Sequence, residues 1–321
     1  MNELKHICTI AQSLGRRKDI VQGAGGNISL KQDDDALYIK PSGRTLSDMH
    51  EPADMVRIDM APFRSLYTQV KPDAAAAAAL LVPNQGLRPS METAFHTLMG
   101  RVVIHTHPVY VNAITCCVAG QHIARSVFPE ATWVPYATPG HDLALEVRDV
   151  PGRQTNVYLF QNHGLTVVAD TIDECLTLHD DVIRRAEEYT GRIEWPATLW
   201  RRREHAIVAD NPVLRRYAAD ANAAETLLRN HPFPDSFVFT DGAPVGTFDD
   251  IIVSGAPVGL ALGVGMCYRT DAKKAADYND ILTASHLVRT LADTLGGARY
   301  LAPQHLAALR MSDAERYRRD G

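Results

Sequence analysis

Val102-Val103-Ile104-His105-Thr106-His107-Pro108 is the stretch on which the reading of this chain turns. A β-branched run halted by a proline reads as a buried strand with its polar residues at the tip. Residues two apart on a strand share a face, so His105 and His107 can both reach one metal ion. A second segment, 156–161, repeats the pattern and stops at Asn162-His163-Gly164, which offers His163 as a third ligand. Three imidazoles with an exchangeable fourth position suit a catalytic zinc or a similar divalent ion. An HxH pair alone reads equally well as two satisfied core histidines; the strand-end His-Gly favours the metal.

Working outward, Glu92 opens an expected helix over 92–99, ahead of the histidine strand. Locally it is a helix N-terminal acid favoured by the dipole. In company with the histidines it is a carboxylate able to ligate a metal, detach and act as a base. Gly23-Ala24-Gly25-Gly26-Asn27 and Lys40-Pro41-Ser42-Gly43 are candidates for holding an anion, because glycine lets backbone N–H groups approach closely. The first lacks the Lys-Ser/Thr end of a P-loop and no GxGxxG follows a strand, so no nucleotide fingerprint is present, and each segment alone also reads as a turn.

The remaining pattern is mixed α and β. Residues 3–14 have helical spacing, 28–30 and 37–39 form a hairpin around Asp33-Asp34-Asp35, and 55–59 is another strand. Residues 171–189 read as a long helix capped by Thr171 with Glu174 three residues on; Cys175, Leu178, Val182, Ala186 and Tyr189 share a face. Composition shifts near 198–204 around Arg201-Arg202-Arg203, which divides the chain into 1–203 and 204–321. Beyond it the reading is a helix over 218–228, a strand over 236–240, an apolar glycine-rich run over 259–265, and a helix over 272–295 ended by Gly296-Gly297.

Composition excludes several classes. The 321 residues carry 33 Lys+Arg against 38 Asp+Glu, a net charge of −5 that does not suit a general nucleic-acid binder. The longest apolar run, 74–82, is mostly alanine and too short to span a bilayer, and the first six residues show no leader pattern. Five cysteines, an odd count without CxxC, read as buried reduced thiols in a cytoplasmic protein.

Five blocks in order, Gly25-Gly26-Asn27-Ile28-Ser29, Ile39-Lys40-Pro41-Ser42-Gly43, Ser90-Met91-Glu92-Thr93-Ala94-Phe95-His96, His105-Thr106-His107-Pro108 and Gln161-Asn162-His163-Gly164-Leu165, resemble the class II aldolase/adducin family. The resemblance covers about the first 200 residues. It implies a three-layer α/β/α fold around a central, mainly antiparallel sheet, commonly as a homo-oligomer (tetramer or dimer) with sites between subunits. By the same resemblance, His105, His107 and His163 hold Zn²⁺ or another divalent metal such as Mn²⁺ or Co²⁺. Glu92 becomes the acid/base, and Asn27, Lys40, Ser42, Gly43 and Ser90 bind the phosphate or other anionic end of a sugar substrate. The implied activity is retro-aldol cleavage through a metal-stabilised enediolate. A sugar-phosphate 4-epimerase, a 3-keto acid decarboxylase and a non-catalytic adducin-like scaffold are the alternatives within the family.

The chain departs from the family in two places. Met91 stands where aldolases often have a second serine, and the proton-donating tyrosine of the fuculose-phosphate enzyme aligns near Phe128. Tyr136, Tyr110 and His141 are the nearby alternatives, none of them assigned, and a tyrosine there reads equally well as structural. Residues 259–265, the helix 272–295, Leu295-Gly296-Gly297 and Leu301-Ala302-Pro303-Gln304 resemble the segment that follows the aldolase module in bifunctional aldolase/dehydrogenase fusions, without the dehydrogenase, and 204–321 reads as a smaller α/β domain.

Overall fold

A computed structural model describes residues 2–33, 35–84, 86–151 and 155–320. Asp34, in the expected hairpin turn, and Met1 lie outside them. Seven strands build the first sheet: β1 (Asn27–Lys31), β2 (Ala36–Ile39), β3 (Val56–Asp59), β4 (Val102–Thr106), β5 (Thr132–Val134), β6 (Val157–Phe160) and β7 (Gly164–Ala169). Their order is β3-β2-β1-β4-β7-β6-β5, antiparallel except for β5–β6. The central strand β4 is buried along its whole length, which is why its sequence is a run of β-branched residues rather than an alternation.

Period-two alternation sends its side chains into two different cores. Val102 and Ile104 join Ile28, Leu30, Leu165 and Val167 beneath the helices Glu3–Gly15, Val109–Thr115 and Ile172–Thr190. Val103 faces the other way, with Leu37, Phe95 and Phe160, toward the helices Ala61–Tyr67, Thr93–Leu98 and His141–Asp149. Helices on both faces of a mainly antiparallel sheet make the expected α/β/α sandwich. The first helix begins where the Asn2 side chain accepts from the Leu4 N–H, and Thr171 caps Ile172–Thr190 by accepting from the Glu174 N–H. That helix buries Cys175, Val182 and Ala186 as its spacing predicts, with His179 between them, but Tyr189 is exposed near its end.

A second sheet, β8 (Leu199–Arg203), β9 (Ala206–Asp210), β10 (Val245–Gly246), β11 (Val258–Ala261) and β12 (Gly265–Tyr268), has the order β10-β11-β12-β9-β8. The expected division after 203 falls in the turn between β8 and β9. The helix Ala272–Thr294 lies against the helix Val109–Thr115 of the first half and is buried on every side from Tyr278 to Val288. One continuous apolar core therefore joins Ile104 and Leu165 of the first sheet to Leu260 and Tyr268 of the second.

One element differs from its sequence reading. Residues 236–240, expected as a strand, lie in and just past the helix Pro234–Val238. Pro234 supplies a helix-ready φ at the first position and the Ser236 hydroxyl donates back to the Phe233 carbonyl; together they override the β-propensity of Phe237, Val238 and Phe239. All five cysteines are free and buried, and no helix among the described residues is long and apolar enough to cross a membrane.

Candidate metal centre

β4 ends at Thr106, so His107 leaves the strand, its backbone N–H donating to the Ile20 carbonyl. Its ring still returns beside that of His105, with the two Nε2 atoms 3.1 Å apart. The β6–β7 hairpin brings the third imidazole. Asn162 turns it with a φ of 52°, and Gly164 lets it press on the end of β4, since a Cβ there would lie 2.4 Å from the Thr106 carbonyl oxygen. One ring nitrogen each from His105, His107 and His163 then lies within 4.8 Å of the others, a group that could hold a metal ion.

The donor chemistry fits a divalent cation. The His105 Nδ1 is 3.0 Å from the Leu165 carbonyl oxygen and 2.9 Å from the Thr166 hydroxyl. A carbonyl only accepts, so Nδ1 carries the proton and the Nε2 lone pair faces the cluster. Burial holds the His105 pKa well below its usual value, which keeps that lone pair available. Glu92 closes the fourth side, its Oε1 3.3 Å from His163 Nε2 and 3.7 Å from His105 Nε2. Burial alone pushes the Glu92 carboxyl up, but the neighbouring His105, His163 and His107 outweigh it and hold the pKa well below the usual range.

Around this cluster the structure gathers the remaining expected residues. Asn27, paired in register with His105 across β1 and β4, donates from Nδ2 to Glu92 Oε2 at 2.6 Å and to Ser90 Oγ at 3.1 Å. The Asn27 Oδ1 is buried without a hydrogen-bond partner, as is the Nδ1 of His163. Lys40, Ser42, Gly43 and Ser90 line the same pocket as Asn27, Glu92, His107 and His163, while His105, fully buried, does not line it and reaches it only through the histidine cluster. Lys40 is also tied to the chain, donating to the Ala24 and Arg44 carbonyls at 3.0 and 2.7 Å. Burial pushes its pKa down to about 7.

The three candidate proton donors lie elsewhere. The Tyr110 hydroxyl meets the Ile193 backbone, His141 meets the Tyr67 hydroxyl at 2.9 Å, and the Tyr136 ring packs on His305. Phe128 sits under the Arg185 guanidinium. Two residues that the sequence reading did not single out complete the pocket: Asp235 of the helix Pro234–Val238 and Arg318 of the helix Asp313–Asp320. No local signal marks either. Asp235 falls at the edge of what reads as a strand, and Arg318 belongs to a charged terminal helix.

Residues 5–190 match the Class II Aldolase and Adducin N-terminal domain. The N-terminal class II aldolase domain of a conserved protein from Thermoplasma acidophilum is 24% identical with a TM-score of 0.54, covering 59% of this chain and 94% of that one. YgbL of Klebsiella pneumoniae, named for an aldolase, epimerase or decarboxylase, is 21% identical over 60% of this chain and 91% of its own, with a TM-score of 0.43. L-fuculose-1-phosphate aldolase of Thermus thermophilus is 15% identical over 59% of this chain and 94% of its own, also with a TM-score of 0.43. No curated protein matches the chain.

Proposed function

Since the chain belongs to the class II aldolase and adducin family, we propose that it is a divalent-metal-dependent carbon–carbon lyase acting on a sugar or sugar phosphate by retro-aldol cleavage. The observation that carries this reading is the Glu92 carboxylate, buried against His105 and His163 and oriented by Asn27. His105, His107 and His163 would hold the ion, with zinc favoured by three imidazoles and Mn²⁺ or Co²⁺ also accommodated. When bound, the cation supplies positive charge that polarises a substrate carbonyl and stabilises the charge developing on its oxygens.

The protein's own groups do the rest. Retro-aldol cleavage removes a proton from the hydroxyl beyond the breaking bond and returns one to the carbon that keeps the electron pair. Glu92, ionised in the free protein, is placed to move a proton on the metal side of the pocket. The unpartnered Asn27 Oδ1 offers an acceptor to a substrate hydroxyl. Lys40, Ser42, Gly43 and Ser90 would receive an anionic end, Lys40 carrying more positive charge as pH falls through 7. An adducin-like scaffold has no use for an oriented buried carboxylate beside three imidazoles. The buried free thiols suit a reducing cytoplasm, and we place the enzyme there as a homo-oligomer.

Metal analysis and two variants test the reading. The purified protein is expected to carry or take up one divalent ion per chain, and no stoichiometric uptake overturns the proposal. His107→Ala should lose the ion, whereas Glu92→Gln should keep it and lose about 10²–10⁴-fold in turnover of a sugar-phosphate panel. Unchanged turnover in Glu92→Gln excludes it as the proton shuttle.

A further inference from the structure

Metal-ligating histidines as a rule have the second ring nitrogen held, which fixes which nitrogen carries the proton and where the ring points; here the Nδ1 of His163 is without such a partner. For His105 the holding groups are Leu165 and Thr166, within the stretch 5–190 that matches the family. For His107 the charged group facing Nδ1 comes from outside that stretch: Asp235 Oδ2, 3.4 Å away. We propose that Asp235 is the positioning residue of His107, clamped in turn by Arg318, so that residues 204–321 complete the metal centre. The inference rests on the reading of His105, His107 and His163 as metal ligands.

Four observations carry it. Asp235 Oδ2 is buried and without a hydrogen-bond partner, and the ring nitrogen it faces is His107 Nδ1, 3.4 Å away. The other oxygen, Oδ1, accepts from Arg318 Nη2 at 2.9 Å, and Arg318 Nη1 donates to Glu315 Oε2 at 2.8 Å. Arg318 thus bridges the two carboxylates and holds Asp235 by Oδ1, with Oδ2 left for His107. Gly25 makes room: a Cβ there would lie 2.9 Å from Asp235 Oδ2 and 3.0 Å from His107 Nδ1. Finally, with Nδ1–H given to Asp235, the Nε2 lone pair of His107 faces the Nε2 of His105, the orientation that a shared ion requires.

Asp235→Asn is the discriminating change. Arg318 claims the single carbonyl oxygen of the amide, which leaves the NH₂ group against His107 Nδ1. That arrangement selects the tautomer protonated on Nε2, the wrong nitrogen for the ion. Cobalt-loaded full-length protein reads this directly. We expect Asp235→Asn to bind Co²⁺ about 10–100-fold more weakly in chelator competition, with an altered visible absorption spectrum. Asp235→Glu should recover part of the affinity. Arg318→Met, which leaves the carboxylate in place but untethered, should give a smaller loss with a spectral change of the same kind. It reads the effect even where Asp235→Asn is not recovered folded.

A buried ion pair with a purely structural role lowers the melting temperature and leaves the cobalt spectrum alone. Wild-type affinity with superimposable spectra in both Asp235→Asn and Arg318→Met overturns the inference and leaves the three-histidine reading standing. A wild-type protein that takes up no cobalt overturns both.

Discussion

Asp277 shows how one carboxyl next to the site can cost stability. Burial is the main cause that raises its pKa from 3.8 to about 6; Lys273 opposes the shift, while Asp280, Asp48 and Asp271 add to it. The folded state therefore binds this proton more tightly than the unfolded state does. Below 3.8 both states are protonated and nothing is lost. As pH rises toward 6, unfolding releases the proton, and above 6 the full cost is present. Asp277→Asn should raise stability at pH 7.5 by about 1–2 kcal/mol, a figure reduced for partial solvent access. The gain should shrink as pH falls from 6 to 4, read by denaturant melts at both ends. A gain independent of pH would mean that the charge is not its origin. At this scale the candidate ligands were legible because a strand tip halted by proline or glycine concentrates polar residues. Asp235 and Arg318 were not, because neither spacing nor composition records which distant side chain will face His107.

The β6–β7 hairpin is the element on which the proposed centre depends most. It carries His163 at its tip, and the Asn162 side chain anchors that tip by donating to the Pro232 and Arg299 carbonyls at 2.8 and 2.9 Å. Gly164 has no spare space: besides Thr106, an added Cβ would meet His107 Cδ2 at 2.9 Å. Gly164→Ala must therefore push the hairpin off the end of β4 and separate His163 from His107. The expected result is a loss of about 2–4 kcal/mol in stability together with much weaker metal uptake, measured by thermal melting and chelator competition. Retained uptake at lowered stability would show that the three rings do not need this approach. The hairpin was readable from its apolar runs and its Asn-His-Gly punctuation. The helix Pro234–Val238 was not, because a five-residue element shows no full helical period and its apolar content suits a strand as well.

On the scale of the whole molecule, a composition shift suggested two parts, but burial ties them together. The helix Ala272–Thr294 places Ile281 and Val288 in the same core as Val111 and Ile114, which follow the histidine strand. Its low amphipathicity is the mark of a helix covered on all sides, and no periodicity could announce which two surfaces it joins. Cutting the chain after residue 203 would strip that core, leave β8 without its partner β9, and remove Asp235 and Arg318 from the pocket. The fragment 1–203 is therefore expected to be insoluble or to bind a hydrophobic dye without a cooperative melt. The full chain should unfold in one transition that shifts upward on adding zinc, because an ion bound only by the folded state stabilises all of it. A soluble 1–203 fragment that melts cooperatively and takes up metal with full-length affinity would assign the centre to the first half alone. Residues 204–321 would then serve something other than His107.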